Sequence, residues 1–401
     1  MANVSSSNGL EKRPRLAFRN TDGSHFPCWR QTSLGCIIEP YSEKVYGEHD
    51  YEVLTSSREG LQRQEDHFGS KQRHDTDGYN IIPFGYCTYR NRSDDGKFAF
   101  NINTISEKAI VSKFYPVFRF TNANSTFMAE FLNSSPRVKK KLSVLAVGTS
   151  QVVLSFEALK AAKFDLPCKD EQDKIAAFLE CLNTRIENQR TLVVALKKYK
   201  RGLLSQLIAQ KKAFDTSGEW KTVKLGQIFK ERTERAKGNE TLLAVTISNG
   251  VQQRDEIDLK DNSSDDKSNY KCVYIGDIAY NTMRMWQGAS GVSPYNGIVS
   301  PAYTIVTPIR PDLHNMTFWA YYFKYSPLVQ TFQKYSQGLT SDTWNLKFPQ
   351  FSEIAVTMPP ISEQDKIAEC LSVFDEHCKC EDEKLQALLQ VRTSLLQQLF
   401  I

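Results

Sequence analysis

"EQDKIAAFLECLN" at 171–183 returns 192 positions later as "EQDKIAECLSVFD" at 363–375. Six identical residues in succession, in a polar and charged stretch, are not a product of composition. They mark an internal repeat, and the repeat decides the domain count and with it the fold. At the same offset Pro167 falls on Pro359, Leu179 on Leu371, Leu182 on Phe374 and Leu196 on Leu388. Leu203, Leu204 and Leu207 likewise meet Leu395, Leu396 and Leu399. Upstream the echo persists with small changes of offset. "WRQTSLGCI" from Trp29 matches "WKTVKLGQI" from Trp220, and "GYCTYRN" at 85–91 lies over "GDIAYNT" at 276–282. "AIVSKFYPVF" at 109–118 lies over "GIVSPAYTIV" at 297–306, "NSSP" at 133–136 over "KYSP" at 324–327, and "VGTS" at 147–150 corresponds loosely to "QGLTS" at 337–341. The chain is two copies of one unit, each a mixed globular segment followed by a helix.

The helical tails follow from spacing. Positions 179, 182, 186, 189, 193, 196, 200, 203 and 207 alternate steps of three and four and hold Leu179, Leu182, Ile186, Gln189, Val193, Leu196, Lys200, Leu203 and Leu207. The second tail has Leu371, Phe374, Cys378, Glu381, Leu385, Leu388, Arg392, Leu395 and Leu399 in the same slots, a coiled-coil seam in both cases. Pro167 and Pro359–Pro360 stand just before the helices, where a missing N–H costs little, and Glu171 and Glu363 lie near the positive N-terminal ends. Two slots in each seam are polar. Paired in parallel and in register, Lys200 would face Arg392. Paired antiparallel about a centre near residues 194–195, Lys200 meets Glu381 and Gln189 meets Arg392, which predicts the antiparallel arrangement. The bland alternative is that these polar residues simply face solvent.

A chain of 401 residues accommodates two or three domains, and 40% apolar with 24% charged residues is ordinary for a soluble globular protein. The net charge of +5 permits an anionic partner without requiring one. No apolar run is long enough to span a membrane, and "MANVSSSNGLEKRPRL" does not read as a secretory signal. Nine scattered cysteines without a CxxC pair point to reduced thiols and a cytoplasmic location rather than to a zinc ribbon. The globular segments contain short strand-like runs, such as 99–103, 109–120, 272–274 and 302–308, broken by turn clusters. Each also contains an amphipathic helix candidate, "STFMAEFLNS" and "MTFWAYYFKYS". The expected fold is α+β: two small α/β domains related by a pseudo-two-fold, joined by two long antiparallel coiled-coil helices. The expected boundaries are a flexible arm at 1–24, domains at 25–166 and 213–358, and helical regions at 167–212 and 359–401.

Two similar readers related by a two-fold suit a long two-fold-symmetric polymer, and duplex DNA is the evident one. "YCTYRNR" places Tyr86, Tyr89, Arg90 and Arg92 beside a turn, and "NTMRMWQGASG" places Asn281, Arg284 and Trp286 at the matching point. Arg reads guanine, Asn reads adenine, and aromatic rings pack on sugars and bases. Lys113, Thr149, Ser150, Thr340 and Ser341 complete the candidate contacts, and Gly288 and Gly291 would let backbone approach a phosphate. Lys139, Lys140 and Lys141, with Lys197, Lys198, Lys200 and Arg201, would add non-specific attraction. Each of these taken singly is also an ordinary surface residue, and Trp286 and Tyr280 are equally core candidates. The weight comes from aromatic-and-Arg stretches falling at equivalent points of both copies.

"DEQDKIAAFLECLNTRIENQRTLVVALKKYKRGLLSQLI" at 170–208 and "SEQDKIAECLSVFDEHCKCEDEKLQALLQVRTSLLQQLF" at 362–400 resemble the two helical regions of the DNA-specificity subunit of type I restriction–modification enzymes. "GDIAYNTMRMWQGASGVSPYNGIVSPAY" at 276–303 is similar to a form of its target-recognition domain. The resemblance covers nearly the whole chain beyond its first twenty or so residues. It implies a non-catalytic subunit whose two domains each read half of a bipartite site, with the helices acting as a ruler. It further implies docking of two modification subunits that methylate adenine N6, joined by a motor-nuclease restriction subunit. S-adenosylmethionine, ATP and Mg would belong to those partners and not to this chain. Consistently, the chain has no [DNS]-P-P-Y/F, P-loop, HExxH or G-x-S-x-G motif. Two other classes stay open: an assembly scaffold whose globular units bind proteins, and an independent enzyme such as a nuclease.

Overall fold

The computed structural model describes residues 14–69, 75–214, 218–238, 240–257, 266–341 and 343–400. The chain forms two compact units, one of residues 1–189 and 384–401, the other of residues 190–383. This division cuts through both long helices, Lys169–Ile208 and Ile361–Leu399, rather than falling at their ends.

The first unit is built on a four-stranded antiparallel sheet with the order Ile38–Tyr41, Val117–Phe120, Cys87–Tyr89, Phe100–Ile102. The helix Ser125–Ser134 begins at Asn124, whose side chain accepts from the Phe127 N–H, and buries Phe127, Met128, Phe131 and Leu132. A second four-stranded sheet, Gly60–Arg63, Glu52–Ser57, Lys108–Val111, Asn80–Pro83, has one parallel pairing. The expected run 109–120 is therefore two strands in different sheets, broken by a turn at 112–116.

The second unit repeats the first. Its sheet runs Phe229–Glu231, Tyr303–Pro308, Ile278–Asn281, Ser290–Val292, again antiparallel throughout. Arg30–Ser33 pairs with Lys163–Leu166 in the first unit, and Lys221–Lys224 with Ala355–Met358 in the second. The second helix candidate, 316–326, is helical over Met316–Tyr322, and a further helix, Ser326–Tyr335, begins at its last residue.

The doubled "EQD" now has a physical reason. Gln172 Nε2 donates to the Pro167 carbonyl at 3.0 Å while its Oε1 accepts from the Asn124 N–H at 2.9 Å. Gln364 does the same with Pro359 at 2.9 Å and Asn315 at 3.0 Å. Asn124 and Asn315, the residues that cap the globular helices, each donate from Nδ2 to the next carboxylate, Asp173 or Asp365, at 2.7 Å. Ile175 and Ala176, and their counterparts Ile367 and Ala368, are core. In the second unit Glu363 also accepts from the Trp220 indole at 3.0 Å. The motif is a clamp that welds the start of each long helix to its own domain, and the two proline carbonyls bonded by Gln172 and Gln364 are buried, where a lost bond is costly.

In the first unit Ile175, Ala176 and Leu179 share one core with Leu396, Leu399 and Phe400. In the second, Leu204, Leu207 and Ile208 share a core with Ile367, Ala368 and Leu371. The start of one helix meets the end of the other in each unit, which is antiparallel pairing. All the expected seam positions, including Leu182, Ile186, Gln189, Leu196, Phe374, Glu381, Leu388 and Leu395, are buried or half-buried.

The expected polar pairs are corrected. Lys200 bonds Asp375, not Glu381, and its ammonium lies 4.8 Å from the centre of the Tyr321 ring. Tyr321 donates its hydroxyl to the other Asp375 oxygen at 2.5 Å. The ring and its hydroxyl favour Asp375, six residues from Glu381 or about 9 Å along a helix. Arg392 donates to Asn183 at 2.7 Å and to Glu130 at 2.6 Å, not to Gln189. Tyr199 against Phe374, at 5.4 Å between ring centres, fits the same shifted register. Of the expected flexible arm, residues 1–13 lie outside the described residues, while Leu16 and Phe18 pack on the first core and the Leu16 N–H bonds the Gln398 carbonyl.

Candidate nucleic-acid interface

In both units the strand that carries the expected contact residues leaves the sheet and meets a short loop. In the first unit Arg92–Ser93 pairs with Val152–Val153, and the Leu154 N–H donates to the Asn91 carbonyl at 2.9 Å. Val147 and Val153 bond each other and close a loop whose exposed tip is Thr149 and Ser150. In the second unit the Leu346 N–H donates to the Thr282 carbonyl at 2.9 Å, and Gln337 and Asn345 close a loop with Thr340 and Ser341 exposed. Gly148 and Gly338 start these loops at φ +141° and +138°, where a side chain would also collide with the carbonyl of Gln151 or Thr343. These bonds tie the segment of Arg90 and Arg92 to the base of the Thr149–Ser150 loop, and the segment ahead of Arg284 and Trp286 to the base of the Thr340–Ser341 loop.

A cleft of about 370 Å³ in the first unit is lined by Arg58, Arg90, Arg92, Asp94, Asp95 and Lys97 among others. Burial works against the Asp95 charge, but hydrogen bonds from Ser93 and the Lys97 backbone, with the Arg58 guanidinium at 2.6 Å, hold its pKa at about 2. Gln151 donates to Asp94 at 3.0 Å and ties the loop tip to the cleft. Lys113 is exposed on the turn 112–116. Asn80 holds that turn through its Nδ2, which reaches the Tyr115 carbonyl at 2.9 Å and the Lys113 carbonyl at 3.4 Å.

Several expected contacts also make bonds or ring contacts within the fold. Tyr89 is fully buried, donates to the Leu154 carbonyl at 2.9 Å, and has its phenol pKa pushed up by burial. Tyr86 is half-buried, edge-on to Tyr41 with ring centres 5.1 Å apart. Asn281 Oδ1 accepts from the Met283 N–H at 3.0 Å and shapes its own turn, and the Trp286 indole donates to the Met283 carbonyl at 3.0 Å. Gly291 faces Gly250 across a backbone contact that a methyl would fill, and the Gly288 N–H is bound to Met285, so neither offers backbone to a phosphate. Lys141 donates to the Lys163 carbonyl at 2.6 Å and keeps its charge, while two of the seven residues of the expected basic cluster are paired within the fold, Lys197 with Asp382 at 3.0 Å and Lys200 with Asp375.

Three residues escaped the sequence reading. Phe114 is exposed beneath the Arg92 guanidinium, 4.8 Å from the ring centre. Trp344 stands edge-on to Trp286 at 5.1 Å. Lys324 is half-buried, donates to the carbonyls of Gly288 at 2.6 Å and Ile247 at 3.0 Å, and so fixes the Met285–Gln287 turn. Burial, with Lys200 nearby, pulls its pKa down to about 8. An apolar residue in "SKFY" was the only available signal for Phe114, and nothing local marks Lys324.

The family model for the type I restriction modification DNA specificity domain matches residues 39–196 and again 217–390. Among solved structures, the crystal structure of a type I restriction–modification S subunit from M. genitalium is 16% identical, with a TM-score of 0.57 over 97% of this chain and 99% of that one. A chain solved in work on complex assembly and conformational transition of the type I R-M system is also 16% identical, with a TM-score of 0.54 over 93% and 97%. At that identity the two structures share the fold.

Proposed function

Because the chain belongs to the type I restriction–modification DNA-specificity family, whose members are the non-catalytic, sequence-reading subunits, we propose that its two units each read one half of a bipartite duplex target. The carrying observation is that both copies build the same junction, an Arg-bearing segment bonded to a glycine-led Thr-Ser loop through Leu154–Asn91 and Leu346–Thr282. In this reading the two helices set the gap between half-sites and recruit two adenine-N6 modification subunits and a motor-nuclease restriction subunit. Those partners bring S-adenosylmethionine, ATP and Mg, and the complex works in the cytoplasm. Among the described residues no helix is long and apolar enough to cross a membrane.

The scaffold alternative is separated by titrating fluorescent duplexes with the full chain across salt. DNA reading predicts an affinity that falls linearly with log salt at a slope of about −0.9 per phosphate contacted. A salt-independent, sequence-blind interaction, or none, would leave the scaffold reading in place.

A further inference from the structure

We propose that Arg92, whose guanidinium lies over Phe114, is the guanine reader of the first unit's half-site. This rests on the DNA reading above and goes beyond it by naming a residue and a base. Arg92 and its neighbours in the same unit are used differently. Arg58 is paired with Asp95 at 2.6 Å, Arg63 with Glu52 at 2.9 Å, and Arg119 with Glu39 at 2.6 Å. Among the described residues Arg92 has no carboxylate partner, and its guanidinium instead lies over the Phe114 ring. The two uses leave different things behind. A carboxylate consumes the N–H fork, whereas a cation–π contact with a ring takes no N–H donor. A guanidinium held over a ring and without a carboxylate partner keeps its fork for the O6 and N7 acceptors of one guanine in the major groove.

The support beneath it is held in place. The Asn80 amide donates to the Tyr115 carbonyl at 2.9 Å in the turn that carries Phe114, with the Lys113 carbonyl at 3.4 Å. The Tyr115 N–H closes the turn onto the Ser112 carbonyl at 2.9 Å. Arg92 itself lies on a strand pinned to the loop of Thr149 and Ser150. Lys113, whose ammonium lies 5.8 Å from the same ring centre, adds charge suited to the flanking phosphate.

The test is selection from a random duplex library by the full chain, followed by titration of the selected duplex. The unaltered chain is expected to select a two-part motif with a guanine in one half. Arg92→Ala is expected to lose preference at that one base pair by about 5- to 100-fold while the other half-site stays unchanged. Phe114→Ala should relax the same position by about two- to fivefold, and Phe114→Tyr should restore it. Replacing that guanine by 7-deazaguanine, which removes N7 without touching the protein, should cost the unaltered chain affinity and cost Arg92→Ala nothing further. A uniform loss across all sequences in Arg92→Ala, with no 7-deazaguanine effect, would make Arg92 a phosphate contact and overturn the proposal. No duplex selection by the unaltered chain would overturn the DNA reading itself and this inference with it.

Discussion

Leu399 belongs by sequence to the end of the second copy, yet it is fully buried in the core of the first unit with Leu179, Phe127 and Phe131. Truncating it to alanine removes three methyl(ene) carbons from a site walled by aromatic rings, among them Phe400, 5.8 Å and 5.5 Å from Phe127 and Phe131. Such walls collapse poorly, so the cost is that of a fully buried leucine, about 2–5 kcal/mol. At about 1.4 kcal/mol per decade, the low end already lowers the protection of amides that exchange through unfolding of this unit by about 30-fold. Amide exchange read by peptide mass resolves where the loss falls. Protection should drop in 125–134, 164–166 and 175–186, and stay within error in 316–335 and 351–358. If the loss appears in the second unit's peptides, or nowhere, the assignment of the C-terminal turns to the first core is wrong.

Gln172→Ala and Gln364→Ala each orphan a proline carbonyl and a cap N–H. Each variant should lose about 2–4 kcal/mol, seen as a lower urea midpoint at unchanged slope. Gly148→Val forces a β-branched residue to φ +141° in an exposed loop, so duplex affinity should fall about tenfold or more while thermal melting barely shifts. Asp95 has a depressed folded pKa, so its stabilising contribution is present above the unfolded value near 3.8 and is lost as pH falls toward about 2. Amide protection of residues 93–97 should therefore hold from pH 7 to pH 4 and collapse below about pH 3.

The long helices were legible because a seam repeated over many turns leaves no competing period, and Ser125–Ser134 was legible from its apolar face. The partners of Lys200 and Arg392 were not legible. They are set by Tyr321, Asn183 and Glu130, side chains outside or beside the seam that periodicity does not weigh. Tyr89 and Tyr280 were indistinguishable from surface aromatics for a different reason. Their strands, Cys87–Tyr89 and Ile278–Asn281, are buried on both faces over almost their whole length, so no alternation separates inward from outward residues. The clamp was visible as a repeated phrase, but its meaning needed Asn124 and Asn315, about 50 residues upstream, whose pairing with the long helices no local rule gives.

Whether one chain reads two half-sites a fixed distance apart can be seen by base-resolution mapping of methylated adenines in the source genome, with and without this gene. Loss of the gene should erase one motif of two short specified parts around a constant unspecified gap. A methylation pattern untouched by the loss, or an erased motif that is a single contiguous word, would contradict it.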